Sequence, residues 1–208
     1  DLSSYNHVLN QRNKLLKDIG FQSGLAATLD VWDEQLVRYG RSIIESRHEF
    51  IRDINDIIGG IHSSITGGKE KIELVYEPNV KSDEFYEQLG KSREKDFKFR
   101  NTSSGPHRDD LCVRINDIDI RKFGSQGQQR TAALSLKLSE IYLVEKKIKD
   151  VPILLLDDVL SELDAGRQNY LLDSIRNVQT MITCTGLDDF VNKRFEINKL
   201  FKVVEGTV

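Results

Sequence analysis

The sequence is short of most features that announce a function directly. It holds two cysteines in 208 residues, Cys112 and Cys184, with no CxxC spacing. A disulfide framework and a thiolate metal site are therefore excluded as the basis of the fold. Both cysteines read as reduced thiols in apolar surroundings, buried in a protein of the cytoplasm. The four histidines include no pair three or four residues apart, so zinc-ligand spacing is missing as well. No apolar run approaches the roughly 18 residues of a membrane span, and no basic stretch followed by an apolar one marks a secretory signal. A charge excess is also lacking: 30 basic residues face 33 acidic ones, for a net −3. That balance withholds the broad basic character of many nucleic-acid binders. Repeats, low-complexity segments and an initiator methionine are absent too, and the chain enters a helical pattern directly from Asp1. Such a start is expected of a piece of a longer protein.

What is present divides into a helical part and an α/β part. Tyr5, Val8, Leu9, Leu15, Leu16 and Ile19 recur at helical spacing, and Gly20 offers a C-cap. A second stripe runs from Leu25 through Trp32, Leu36, Ile43, Phe50 and Ile54. It predicts a helix over 25–58, about 50 Å long, ended by Gly59-Gly60, with Gly67-Gly68 as a further break. Its length and charged outer faces suit a coiled-coil arm or elongated antiparallel hairpin; an ordinary long bundle helix is the alternative. A short strand is expected at 72–76, a polar helix over 82–98, and a strand–turn–strand over 111–120 turning at Asn116-Asp117. A strong helix follows over 126–149 with Ser125 as its N-cap. Then come a strand at 153–156, a helix at 165–177, a strand at 179–183 and a last strand at 201–204. Alternating strands and helices predict parallel βα units in this final third.

Chemistry is concentrated in three segments. Ile153-Leu154-Leu155-Leu156-Asp157-Asp158 places two carboxylates at the C-terminal end of an apolar strand. A central parallel strand is buried on both faces, and ligands of open α/β sheets bind beyond its C-terminal end. There one carboxylate can hold Mg²⁺ and the next can orient a water, the Walker B pattern. Ser161-Glu162-Leu163-Asp164 follows at once, as either a helix N-terminus capped by Ser161 or the D-loop of an ABC-type ATPase. Upstream, Ser125-Gln126-Gly127-Gln128 opens a helix. By itself it is a well-capped terminus, yet it also presents a hydroxyl, free amides and the positive dipole end to an anion.

Gly105-Pro106-His107-Arg108-Asp109-Asp110, then Ser125-Gln126-Gly127-Gln128-Gln129-Arg130, then Leu156-Asp157-Asp158-Val159-Leu160-Ser161-Glu162-Leu163-Asp164, taken in order, resemble the RecF family of bacterial recombination mediators. Tyr5-Asn6 and Gln11-Arg12-Asn13-Lys14 resemble the start of that family's helical arm. The resemblance extends over essentially the whole chain. It implies an SMC-like ABC ATPase lobe with a helical arm, acting in DNA repair, replication and the SOS response. Such a protein binds double-stranded and gapped DNA, dimerises on ATP, works with a RecR-like mediator and is cytoplasmic and nucleoid-associated. It also implies roles: Asp157 for Mg²⁺, Asp158 for the attacking water, and Ser125, Gly127 and Gln128 for the γ-phosphate of ATP on a second subunit. Asp164 lies in the D-loop. The expected division is an arm and connecting segment over 1–100, a signature segment over 101–150, and the second half of the nucleotide lobe over 151–208.

Departures from the family pattern limit that reading. No GxxxxGK[ST] phosphate loop is present. Gly67-Gly68-Lys69-Glu70 does not replace it, because no glycine stands at position 63 and Glu70 occupies the Ser/Thr place. The chain alone is therefore expected not to hydrolyse ATP, and a lobe lacking its first half is expected to expose apolar edges. The histidine that many ABC proteins carry beyond the next strand is replaced by Thr183-Cys184-Thr185-Gly186; Thr183 or Thr185 is the available hydroxyl. His107-Arg108-Asp109-Asp110 reads as a polar turn with an ion pair rather than a catalytic set. Arg12, Lys14, Lys17, Arg38, Arg41 and Arg47 read as a solvated face, with phosphate contact as the alternative. Two other functions compete: another SMC-like chromosome-maintenance ATPase, whose arms are usually much longer, and a non-catalytic module that docks DNA or a protein partner.

Overall fold

A single long helix organises the molecule. In the computed structural model, which describes residues 2–19, 28–184 and 198–207, helix α2 runs over Leu29–Thr66, 38 residues or about 57 Å. It passes straight through Gly59 and Gly60, where the sequence predicts a break. Glycine costs a helix about 1 kcal/mol per position, whereas burying an isoleucine returns about 1.5–3 kcal/mol. Ile54, Ile58 and Ile61 flank the pair and are all buried, so packing outweighs propensity. The helix stops at Gly67, whose left-handed φ of 64° closes the C-cap, as glycine does best.

Helix α1 (Leu2–Ile19) lies antiparallel along the first half of α2, setting Arg12 against Asp33 and Tyr5 beside Gly40. A Cβ at Gly40 would stand 2.4 Å from Phe85 Cε1, so the close approach of α3 (Phe85–Phe99) requires glycine. Tyr5, Val8, Leu36, Ile44, Phe85 and Leu89 form this core. It is the expected hairpin, but only for half of α2.

The second half of α2 is buried beneath the rest of the chain. Strands β1 (Ile72–Glu77), β2 (Asp110–Ile115) and β3 (Ile118–Asp119) make an antiparallel sheet in that order. Asn116 and Asp117 both take positive φ at its hairpin turn, the expected two-residue geometry. Residue Ile120 leaves the expected strand to begin the short helix α4 (Ile120–Phe123). Helix α5 (Gln126–Ile148) then crosses α2, joining Ile54 and Ile58 to Leu143 and the sheet.

The final third is a parallel βαβ unit: β4 (Leu154–Asp157), α6 (Ala165–Ser174) and β5 (Thr180–Thr183). In register, Leu155 opposes Met181 and Asp157 opposes Thr183. One face packs on α5 and α6 through Leu156, Leu138, Leu171 and Ile175. The other face is open, with Ile153 62%, Leu155 70% and Met181 61% exposed. Burial of β4 on both faces is thus not realised, and the exposed apolar surface expected of a half lobe is. Two further expectations fail. Residues 201–204 form no strand, only an isolated bridge from Val204 to Thr207, and among the described residues no strand pairs with them. Cys112 is buried as expected, but Cys184, just past the end of β5, is exposed.

Candidate functional site

The sheet delivers Asp157 and Thr183 side by side at the C-terminal ends of β4 and β5. Thr183 Oγ1 donates to Asp157 Oδ1 at 2.5 Å, and the Asp158 amide donates to the same hydroxyl oxygen and to the Thr183 carbonyl. The threonine therefore fixes one oxygen of the Asp157 carboxylate. Asp158 itself adopts φ 50°, a left-handed conformation that non-glycine residues occupy at a cost of about 1–3 kcal/mol. The two hydrogen bonds of its amide to Thr183 hold it there, and the chain turns off the sheet into the segment that follows. Thr185 lies outside the described residues.

The chain next makes a 3-10 turn over Val159–Glu162 and reaches α6. Its N-cap is Asp164, not Ser161: Asp164 Oδ1 accepts from the Arg167 amide at 3.0 Å, and Oδ2 pairs with Arg167 Nη1 at 2.5 Å. The Arg167 backbone N–H, aided by its cation, holds the Asp164 carboxyl below its usual range. An aspartate capping a helix also meets the positive end of the dipole.

Ser125 caps α5 with a complete capping box. Its Oγ accepts from the Gln128 amide at 3.2 Å, and Gln128 Oε1 accepts from the Ser125 amide at 3.0 Å. The amides of Gln126 and Gly127 are left without an acceptor among the described residues, and the Ser125 hydroxyl proton remains available to donate. This terminus is open to an oxyanion. Arg167 approaches it: its Nη2 would lie 3.8 Å from a Cβ at Gly127.

The predicted residues thus gather into two groups, Asp157–Asp158–Thr183 on the sheet and Ser125–Gly127–Gln128 on α5. Asp164, through Arg167, leans toward the second. The lone Asp157 carboxylate with one oxygen committed to Thr183 suits Mg²⁺, which keeps most of its waters and takes one or two protein carboxylates. The α5 terminus suits phosphate. Neither group has a lysine-bearing phosphate loop beside it, since the sequence contains none.

Three groups near this site escape sequence reasoning. Arg167 has no motif to mark it. Glu70, in the segment set aside as an imperfect phosphate loop, accepts from Gln128 Nε2 at 2.9 Å. His62 is fully buried and faces Glu70 at 3.3 Å and Ser135 Oγ at 2.9 Å. Only contact across the fold joins these positions.

Other candidates are structural. His107–Asp110 forms the expected polar turn: Asp109 pairs with Arg47 at 2.7 Å and accepts from the Tyr76 hydroxyl, and Asp110 pairs with Arg121. Tyr5 hydrogen-bonds His107 at 2.7 Å; burial pushes its hydroxyl above the ordinary tyrosine range and His107 below that of histidine. The expectation of a solvated basic face fails for Arg12, while Arg41 stays exposed and Arg47 is partly exposed. Arg12 is fully buried against Asp33, Asp96 and Thr102. Arg41 donates to the Ser82 and Asp83 carbonyls, and Arg47 to the Pro106 carbonyl. All three hold the chain to itself through these contacts.

Comparison with known proteins places this geometry. The chain is 60% identical over its whole length to the DNA replication and repair protein RecF of Lachnospira eligens. It is 57% identical to that of Agathobacter rectalis and 43% identical to that of Clostridium perfringens. The chain belongs to the RecF family. It spans 58% of the length of each of these relatives. No protein-family model matches it. Among solved structures, a RecF–ATP complex of the RecFOR pathway superposes with a TM-score of 0.81 at 38% identity. That match covers 91% of this chain and 53% of the other. A RecF–ATPγS complex of the same pathway gives 0.84 at 34% identity, covering 99% and 56%. The α/β lobe with its helical arm is accordingly the RecF fold, an ABC ATPase architecture. Among the described residues no helix is long and apolar enough to cross a membrane.

Proposed function

We propose that this chain is the part of a RecF-type recombination mediator that carries the arm, the signature loop and the Walker B half of the nucleotide lobe. The three portions are 1–100, 101–150 and 151–208. In the whole protein Asp157, fixed by Thr183, holds Mg²⁺ and Asp158 orients the attacking water. The metal, when bound, neutralises charge on the ATP phosphates. Ser125 and the Gly127 amide clamp the γ-phosphate of ATP held by a second copy, with Gln128 bracing the serine and Asp164 following that contact on the D-loop. ATP then joins two copies, and the dimer works on double-stranded and gapped DNA with a RecR-like mediator in repair and replication.

The observation that carries this reading is the coexistence of an open, capped α5 terminus and a carboxylate pair at the β4 end, in a fold that superposes on RecF–ATP complexes. Local cations offset the balanced net charge. A surface cleft of about 450 Å³ between α1 and α3 is lined by Lys14, Lys17, Arg100, Asn10, Asn13 and Phe99, and Phe99 is 65% exposed. The cations suit a phosphate backbone, and the exposed ring suits stacking on an unpaired base at a gap. An arm of about 57 Å, half of it buried under α5, is short for the chromosome-maintenance ATPases.

The test compares the whole protein with its Asp158→Asn variant and with the 208-residue chain. The whole protein is expected to hydrolyse ATP and dimerise on it. The variant should lose turnover by 100-fold or more, in the range of a general base, while still dimerising. Hydrolysis of ATP by the contaminant-free chain alone would refute the assignment.

A further inference from the structure

Between the end of α2 and the start of α5 lies a chain of polar contacts that the nucleotide chemistry above does not use. Helix α2 ends at Gly67, and Gly68 follows with φ 76°. This left-handed pair turns the backbone back over the last turn of the helix, where the Gly68 amide donates to the Ser63 carbonyl at 2.8 Å. The turn brings Glu70 beside His62, eight residues behind it in sequence. One Glu70 oxygen faces His62 Nε2 at 3.3 Å and the other accepts from Gln128 Nε2 at 2.9 Å.

That second bond matters because Gln128 has no freedom left. Its side-chain oxygen is committed to the Ser125 amide and its backbone N–H to the Ser125 hydroxyl oxygen. A side-chain amide is planar, so fixing Nε2 on a carboxylate fixes which way Oε1 points. Removing the carboxylate releases the amide to rotate, and the Ser125 cap loses one of its two bonds. Glu70 is itself held: His62 is fully buried, and its Nδ1 lies 2.9 Å from Ser135 Oγ on α5. Burial keeps the imidazole below its ordinary pKa, and the tautomer protonated on Nε2 is the one that donates to Glu70; the Ser135 hydroxyl is shared between Nδ1 and the Thr131 carbonyl. The first half of the same helix packs on α1 and α3, so α2 carries both the arm contacts and His62.

We propose that Glu70 is a positioning residue for the signature loop, setting the orientation of Ser125 through Gln128 and thereby coupling the arm helix to ATP-dependent dimerisation. The inference rests on the reading of Ser125 as the clamp for a second copy's γ-phosphate. Nucleotide binding within one subunit does not involve it, since that site is built on the sheet side and on the phosphate loop of the whole protein.

The test uses the whole protein with Glu70→Ala, Glu70→Gln and Ser125→Ala. Binding of ATPγS to monomer is measured at low protein concentration, and ATPγS-driven dimerisation by sedimentation. A hydrogen bond to a charged group contributes enough for about a tenfold effect or more. Glu70→Ala should weaken dimerisation tenfold or more and leave monomer affinity for ATPγS within twofold. Glu70→Gln, which keeps an acceptor for Gln128, should recover most of the loss and serves as the folded control if the alanine variant does not fold. Wild-type dimerisation of Glu70→Ala beside a defective Ser125→Ala overturns the proposal and leaves the clamp standing. Equal loss of monomer affinity and dimerisation, or failure of Glu70→Gln to recover, also overturns it. If Ser125→Ala dimerises normally, the clamp itself is wrong and the proposal falls with it.

Discussion

Arg12 is the most consequential single side chain in the arm, and its replacement gives a sharp test of how the arm is held. The guanidinium is fully buried, with Nε on Asp33 at 2.6 Å and Nη1 on both Asp96 at 2.8 Å and Thr102 at 2.8 Å. Through these contacts one residue of α1 ties α2 to the end of α3. Both carboxylates are equally buried, and only Asp33 has a second cation, Arg93 at 2.8 Å. Removing one partner of a buried ion pair costs about 3–5 kcal/mol, mostly because the remaining charge is left uncompensated. Arg12→Ala should sit at the upper end of that range for Asp96. Converted at 1.36 kcal/mol per decade, the loss corresponds to amide exchange about 160-fold to several thousandfold faster in α1 and α3. Hydrogen exchange on the whole protein reads this element by element, where a global melting temperature would mix domains. Exchange in β4, α6 and β5, which belong to a separate core, should change by less than about threefold. Acceleration below tenfold in both α1 and α3 would show that the network is neutral in free energy, and the reasoning would fail.

Acid should loosen the fold through two histidines. Burial lowers His62 and His107 below the ordinary 6.5, so their contribution is complete above about pH 6.5 and is lost as pH falls from there toward their folded values. Urea titrations at pH 7 and pH 5 should show the difference, and His107→Gln should reduce it; an unchanged pH dependence in that variant refutes the assignment. Leu155→Asp should leave the 208-residue chain as stable as before, since this side chain is exposed, yet should destabilise the whole protein by about 2 kcal/mol or more, because that face is then covered. Equal thermal shifts in the two contexts would count against it. Lys14→Glu with Lys17→Glu should weaken binding of double-stranded DNA by the whole protein and reduce the steepness of its salt dependence by about two counter-ions; an unaltered salt slope removes the α1–α3 cleft from the interface.

Legibility from sequence followed the range of the interactions concerned. Local signals were reliable guides. The Ser125 cap, the Asn116-Asp117 turn and the alternation of β1 each depend on residues within a few positions, and each forms. Gly59-Gly60 misled because a propensity of about 1 kcal/mol per residue was set against burial supplied by α5, some 75 residues away in sequence. Arg12 misled in the same manner: its partners lie 21 and 84 residues off, and no spacing on α1 distinguishes a buried arginine from a solvated one. The β4 strand was right in position and wrong in burial for a different reason. Its sequence encodes contacts on both faces, and only one of those faces has its cover among the described residues.

The candidate site shows the same limit with a functional consequence. Asp157, Ser125 and Asp164 were legible because each stands at the end of an element, where capping chemistry and ligand chemistry use the same side chains. That overlap also kept motif and cap indistinguishable until they were seen together. Glu70 carried the opposite signal: as a failed phosphate loop its segment is discarded by pattern, while its geometry gives it two partners on two helices. A carboxylate there is costly unless paired, and its pairing through Gln128 ends at Ser125, the serine of the proposed clamp. The part of the site that sequence motifs name is the part proposed to touch ligand. The part that holds those residues in place is specified by long-range contact, and for this chain it runs through the arm.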